Sequence, residues 1–163
     1  MNVLLVIFLA QAAFGSHANS PGVRSGFDSL NVSFLGNWPF GPSYAVSYDL
    51  TRNLVFLGSG GGVYILDVSD PQNPTKVSEE IHTRGIVYGL FYIPSTQTLL
   101  IADGPGGLDV WDVSSVQSPY QLSWYPTPGN AFDIFVSGTY AYVADSNGGL
   151  RIINVSTPQT HTK

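Results

Sequence analysis

The chain has no cysteine and little charge. With no thiol among 163 residues, disulfides, thiolate nucleophiles and cysteine-ligated zinc are excluded. Charged residues make up 10%, well under the usual quarter of a globular chain. Eleven acidic residues against six basic ones give a net charge of -5. Six scattered cations form no stripe able to neutralise a phosphate backbone, so nucleic acid is not an expected partner. Long apolar runs are also missing. The one near the N-terminus, "VLLVIFLAQAAF" at 3–14, is too short for a comfortable membrane span.

That N-terminal run is followed by small residues in "GSHA" and has the pattern of a secretory signal peptide. Cleavage after Ala18 places Ser16 in the other small-residue position, and cleavage after Gly15 places Ala13 there. The opening "MN" lacks the usual Lys or Arg, which leaves a buried strand or an uncleaved anchor as the rival reading. The expected organisation is a signal peptide over 1–18, a linker over 19–28 and one domain over 29–163, exported to the cell surface or secreted, with no membrane span after cleavage.

Glycine, proline, Val, Ile and aromatics are abundant: 18 Gly, 11 Pro, 9 Tyr and 9 Phe. They are distributed periodically. Gly41, Gly85 and Gly129 stand 44 residues apart, and Tyr44, Tyr88 and Phe132 keep that interval. The pairs Gly61-Gly62, Gly106-Gly107 and Gly148-Gly149 follow at 45 and 42. The units run over about 41–84, 85–128 and 129–163. Each reads as four short strands and no helix: "YAVSYD", "LVFLG", "VYILDV" and "KVSEEI" in the first, then "YGLFYIP", "LLIAD", "LDVWDV" and "YQLSWY" in the second. The third stops after "FDIFVSG", "AYVAD" and "LRIINV". Apolar runs of five or six residues between Gly, Pro, Ser and Asn are too short for helices and rich in strand formers. Four-strand units recurring every 40 to 45 residues predict an all-β, β-propeller-type fold of about three blades, a partial ring.

The core "YAYVADSNGGLRIINVSTP" resembles the LVIVD repeat of bacterial and archaeal surface or secreted proteins. The resemblance extends over about 38–160 and loosens in the first unit, where "GSGGGV" replaces "ADGPGGL". It implies an exported propeller and no particular ligand, reaction or cofactor. Trp111-Asp112 invites a WD40 comparison, but that family's Gly-His signal is missing.

Few residues carry chemistry. Asp103 and Asp145 precede Gly-rich turns at equivalent places; "DSNGG" has calcium-loop spacing, yet the twelfth position is Ser156 where a bidentate Glu is needed. An Asx-turn, with the carboxylate receiving backbone N–H groups, explains them without a metal. Asp67, Asp112 and Asn154 each precede Val-Ser, and the change to Asn marks a hydrogen-bond acceptor whose charge is optional. Asp133 departs from the repeat, its equivalents being Ala45 and Gly89, and on a channel-lining strand it is a candidate ligand contact. His82 and Arg84 also lack repeated equivalents and are candidates to join it at one channel mouth. No Gly-x-Ser-x-Gly elbow or phosphate-binding loop occurs, and adjacent Glu79 and Glu80 point to opposite faces of a strand. Asn31 and Asn154 begin "NVS" sequons, usable only on a eukaryotic secretory route.

The expected function is therefore a secreted or cell-surface interaction module, without an evident catalytic site, whose loops bind an extracellular protein or glycan. The alternatives are a propeller-type hydrolase or lyase acting on an extracellular polymer, and a truncated fragment without independent activity. Because propellers close with about four to eight blades, open flanks and strand edges are expected to promote self-association. "SLNVSFLGNW", 29–38, has the pattern of an outer fourth strand lacking its own blade.

Overall fold

The computed structural model describes residues 34–38 and 41–157 and forms three antiparallel sheets there. In the first blade β1 (Ser43–Asp49), β2 (Leu54–Ser59), β3 (Gly62–Asp67) and β4 (Thr75–His82) lie side by side in chain order. The second repeats this with β5 (Gly89–Ile93), β6 (Thr98–Ala102), β7 (Leu108–Asp112) and β8 (Tyr120–Tyr125). The third holds β9 (Asp133–Ser137), β10 (Tyr140–Ala144) and β11 (Leu150–Asn154). These are the strands predicted from the repeat, with ends shifted by a residue or two. The expected signal peptide and linker lie outside the described residues, as does the sequon at Asn31.

Local chemistry fixes the meander. Asn53 and Gln97, with φ of 53° and 51°, take the left-handed place in the turns between first and second strands, and Gly138 serves the third blade at φ 58°. The exit of each third strand is tied by the predicted acceptors: Ser69 N–H donates to Asp67 at 2.8 Å, Ser114 to Asp112 at 2.8 Å and Ser156 to Asn154 at 2.9 Å. An uncharged amide holds the same turn as two carboxylates, so the turn needs only the oxygen.

Both faces of the middle blade are covered. Phe56, Val63 and Ile65 of the first blade meet Leu99 and Ile101 of the second, while Leu100, Leu108 and Val110 of the second meet Ile134, Ala141 and Val143 of the third. Alternation along β6 therefore sends neighbouring side chains into two different cores, which is why "LLIA" reads as an unbroken apolar run. Each such buried side chain contributes roughly 1.5–3 kcal/mol.

The interface between the first two blades is also stapled by charge. Arg52, in the turn after β1, pairs with buried Asp49 at 2.5 Å and donates to Val113 O at 2.9 Å, Ser114 O at 3.2 Å and the Tyr92 hydroxyl at 3.1 Å. Tyr92 donates to Asp49 at 2.7 Å. Burial works to raise the Asp49 pKa, but these donors outweigh it and hold the carboxyl below its usual range. Burial, with the Asp49 carboxylate beside it, pushes the Tyr92 hydroxyl up to about 12.

Residues 34–38 differ from expectation. They form no strand. Trp38 instead sets its ring 6.3 Å from Tyr64 and packs on the outer face of the first blade, over the cluster of Val55, Leu57 and Leu66. Gly36 runs so close to the carbonyl oxygens of Pro71 and Gln72 that a Cβ would sit 2.6 Å from the first. Packing of the indole against this apolar face accompanies the segment's course.

Candidate functional site

The glycines at 44-residue intervals make the blade entrances. A Cβ on Gly85 would lie 2.6 Å from Asp103 O, and one on Gly129 would collide with Asp145 O. The chain must pass this closely because the carboxylates beneath it grip its amides. Asp103, fully buried, accepts from Arg84 N–H at 2.8 Å and Gly85 N–H at 2.7 Å. The Asx-turn expectation is thus corrected: the amides are 18 and 19 residues upstream, at the entry to the innermost strand, and do not belong to the Gly-rich turn itself. Asp145 accepts from Gly129 N–H at 3.0 Å, but the preceding residue is Pro128, which has no N–H, and Asp145 Oδ1 is buried without a partner. Arg151 supplies charge instead, its Nε 3.3 Å from Asp145 Oδ2.

Above these entrances the repeat places one aromatic ring per blade. Tyr44 and Tyr88 are 5.7 Å apart between ring centroids, and Tyr88 and Phe132 are 5.0 Å apart at 69°. The spacing is set by the stacking of the innermost strands, where Gly89 lets Phe132 and Asp133 approach within 2.9 Å of where a Cβ would be. A bulge in β1 between Ser43 and Ala45 turns Tyr44 into line. Tyr44 is 56% and Phe132 43% exposed, with Tyr88 half-buried between them, so the rings form a continuous aromatic ridge.

The three residues singled out in the sequence are dispersed around this ridge. Asp133 opens β9 directly after Phe132, exposed, with its carboxylate accepting from Ile134 N–H at 2.9 Å. His82 ends β4, the outer strand of the first blade, and lines a pocket of 200 Å³ with Ser59, Glu79 and Ile81. Arg84 commits its guanidinium to the second blade: it donates to Asp109 at 2.9 Å and lies 4.2 Å above the Trp124 ring. Of the three, only Asp133 adjoins the ridge. The ridge itself was visible in the sequence as the recurrence of Tyr44, Tyr88 and Phe132, which marked the period but was not read as a surface.

Among the described residues, Asp109 is an acid strongly displaced from its usual behaviour. Burial pushes it up to about 6, the nearby Asp103 carboxylate adds to the rise, and Arg84 opposes it. Its equivalent in the third blade is Arg151, so the same place holds an acid beside Asp103 and a base beside Asp145. Asp109 is wholly enclosed, out of reach of a substrate in this arrangement.

The fold is that of β-propellers. The chain matches the β-propeller domain of Cps50 (Swd1) from Myceliophteria thermophila with a TM-score of 0.61 at 13% identity, over 74% of this chain and 38% of that one. A chain of the mitotic checkpoint complex matches with a TM-score of 0.61 at 18% identity, over 69% and 36%. The computationally designed Ika8 protein matches with a TM-score of 0.59 at 13% identity, over 72% and 35%. The chain thus spans little more than a third of the length of these structures. No curated protein matches it. The LVIVD repeat model matches residues 51–79 and 128–161, one segment within the first blade and the other covering the third, so the chain carries LVIVD repeats at those two segments of a propeller-type fold.

Proposed function

We propose that the chain is an extracellular interaction module that binds a protein or glycan across the ridge of Tyr44, Tyr88 and Phe132. The observation that carries this reading is the ridge itself: three large rings, one per blade, held in line, with Tyr44 and Phe132 left in solvent and Tyr88 half-buried between them, where burying the two outer rings against the core would have gained about 2 kcal/mol each. Rigid aromatic rings give contact area at little entropic cost, and flanking Asp133 adds one directional polar contact. Secretion rests on the apolar N-terminal run and the repeat's resemblance to surface proteins.

The test is retention of the chain on immobilised polysaccharides and cell-surface protein extracts. Wild-type retention without turnover, lost in Tyr44→Ala/Phe132→Ala, supports the module. Release of product favours the polymer hydrolase or lyase, and unchanged retention of the folded double variant rejects the ridge. The third blade's outer face, with Phe135 63%, Leu150 63% and Ile152 60% exposed, is the face on which a second copy stacks in this reading. It is the same side that the second blade offers to the third, and a monomer at all concentrations in sedimentation would reject this part.

A further inference from the structure

The two blade interfaces differ at the end away from the entrances, and there the molecule holds a filled site and an open one. At the first interface the end is closed by Arg52, whose guanidinium donates to Val113 O and Ser114 O. The repeat replaces Asp49 by Ile93 and Arg52 by Thr96, and places Val155 and Ser156 where Val113 and Ser114 stood. A cleft of 430 Å³ opens at that position between the second and third blades, within the range of small-ligand sites.

Its lining has two parts. Ile93, Val110, Leu122 and Val155 make apolar walls, and Thr96, Thr139 and Ser156 bring hydroxyls. Asp112 also lines it, a carboxylate bonded to Ser114 N–H at 2.8 Å and the Tyr120 hydroxyl at 3.1 Å. No basic side chain is among the lining residues, so the only charge there is negative.

We propose that this cleft binds a guanidinium group, an arginine side chain presented by a peptide or protein partner, at the place that corresponds to Arg52, with Asp112 offering the carboxylate that Asp49 offers at the first interface. The apolar walls fit the methylene stem and the acceptors fit the planar head, a division that suits arginine better than a compact, strongly hydrated ammonium. The site lies at the turn after the first strand, the opposite end of the blades from the aromatic ridge, and does not depend on the ridge binding anything.

The experiment is a titration of the isotope-labelled full chain, followed by NMR, with acetyl-Gly-Arg-Gly-amide and its lysine and citrulline analogues. The expected result is saturable shifts at Thr96, Thr139, Val155 and Ser156, with citrulline, which is neutral but nearly the same shape, bound roughly tenfold more weakly. Equal binding of citrulline, no shifts, or shifts confined to Tyr44 and Tyr88 would overturn the assignment. The double variant Ile93→Asp/Thr96→Arg rebuilds the first interface's staple in the second. When folded, it is expected to lose the peptide response, and a retained response would also overturn the proposal; the wild-type titration decides alone if that variant does not fold.

Discussion

The first and second blade interfaces each hold an apolar cluster but differ in how they treat charge. The first encloses Asp49, Arg52 and Tyr92 in one network, and it also buries Asp109 beside Asp103, acid next to acid. The second has Ile93, Thr96 and Val136 in place of the network and sets Arg151 beside Asp145, base next to acid. A repeat therefore preserves its hydrophobic contacts while the polar positions at its margins drift. Once one blade acquires a buried charge, its partners must be acquired with it, because an unpaired charge there is far costlier than an apolar replacement.

The largest test of this contrast removes the staple. Arg52→Ala leaves the Asp49 carboxylate buried with only Tyr92 and backbone donors, and should cost about 3 kcal/mol. Thr96→Ala, the equivalent change at the second interface, should cost less than about 0.5 kcal/mol; urea denaturation of the two variants measures both. Similar losses would mean that the staple adds nothing specific.

Next in size is the acid pair. Asp109 has its pKa raised from 3.8 to about 6, so the folded protein holds this proton more tightly than the unfolded chain. Its stabilisation is complete below about pH 4 and is lost as the pH rises through about 6, a loss of about 2–3 kcal/mol by linkage. Asp109→Asn should therefore be more stable than wild type at pH 7.5 and nearly equal to it at pH 4, as read from thermal midpoints across that range. A parallel pH dependence in variant and wild type would show that Asp109 does not titrate in this window.

The blade entrances should respond alike in both blades, since each glycine passes against the carbonyl of a buried aspartate. Gly85→Ala and Gly129→Ala each force a Cβ against the carbonyl of the buried aspartate below and should each destabilise by about 2 kcal/mol. Smallest are the strand exits. Asp112→Ala and Asn154→Ala each remove an acceptor from an exposed turn, and each should cost about 1 kcal/mol. A much larger loss for Asp112 would show that its charge matters at the second interface, where it lines the cleft.

Much of this was legible in the residues. The strands, their order within each unit and the acceptor role of Asp67, Asp112 and Asn154 follow from local patterns, because a turn or short strand is chosen by residues a few positions apart. The roles of Asp103 and Asp145 were only half legible: their recurrence showed that they are structural, but the amides they hold lie 16 to 19 residues away. Arg84 read as a candidate ligand contact at the channel mouth, and its engagement with Asp109 and Trp124 depends on how β7 and β8 fold back beside it. The segment ending in Trp38 read as a strand because its alternation is right, yet the ring found an apolar face to cover.

By itself the sequence determined the blade: its period, its four-strand plan and the glycines and acceptors that turn it, since these are set by backbone sterics and hydrogen bonding over short spans. Only the tertiary structure decided which positions of successive blades meet. That stacking turned Tyr44, Tyr88 and Phe132 into one ridge, joined Arg52 to carbonyls more than 60 residues away and left the corresponding place open between the second and third blades. Contacts of this kind depend on the rotation between neighbouring sheets, which no single repeat encodes.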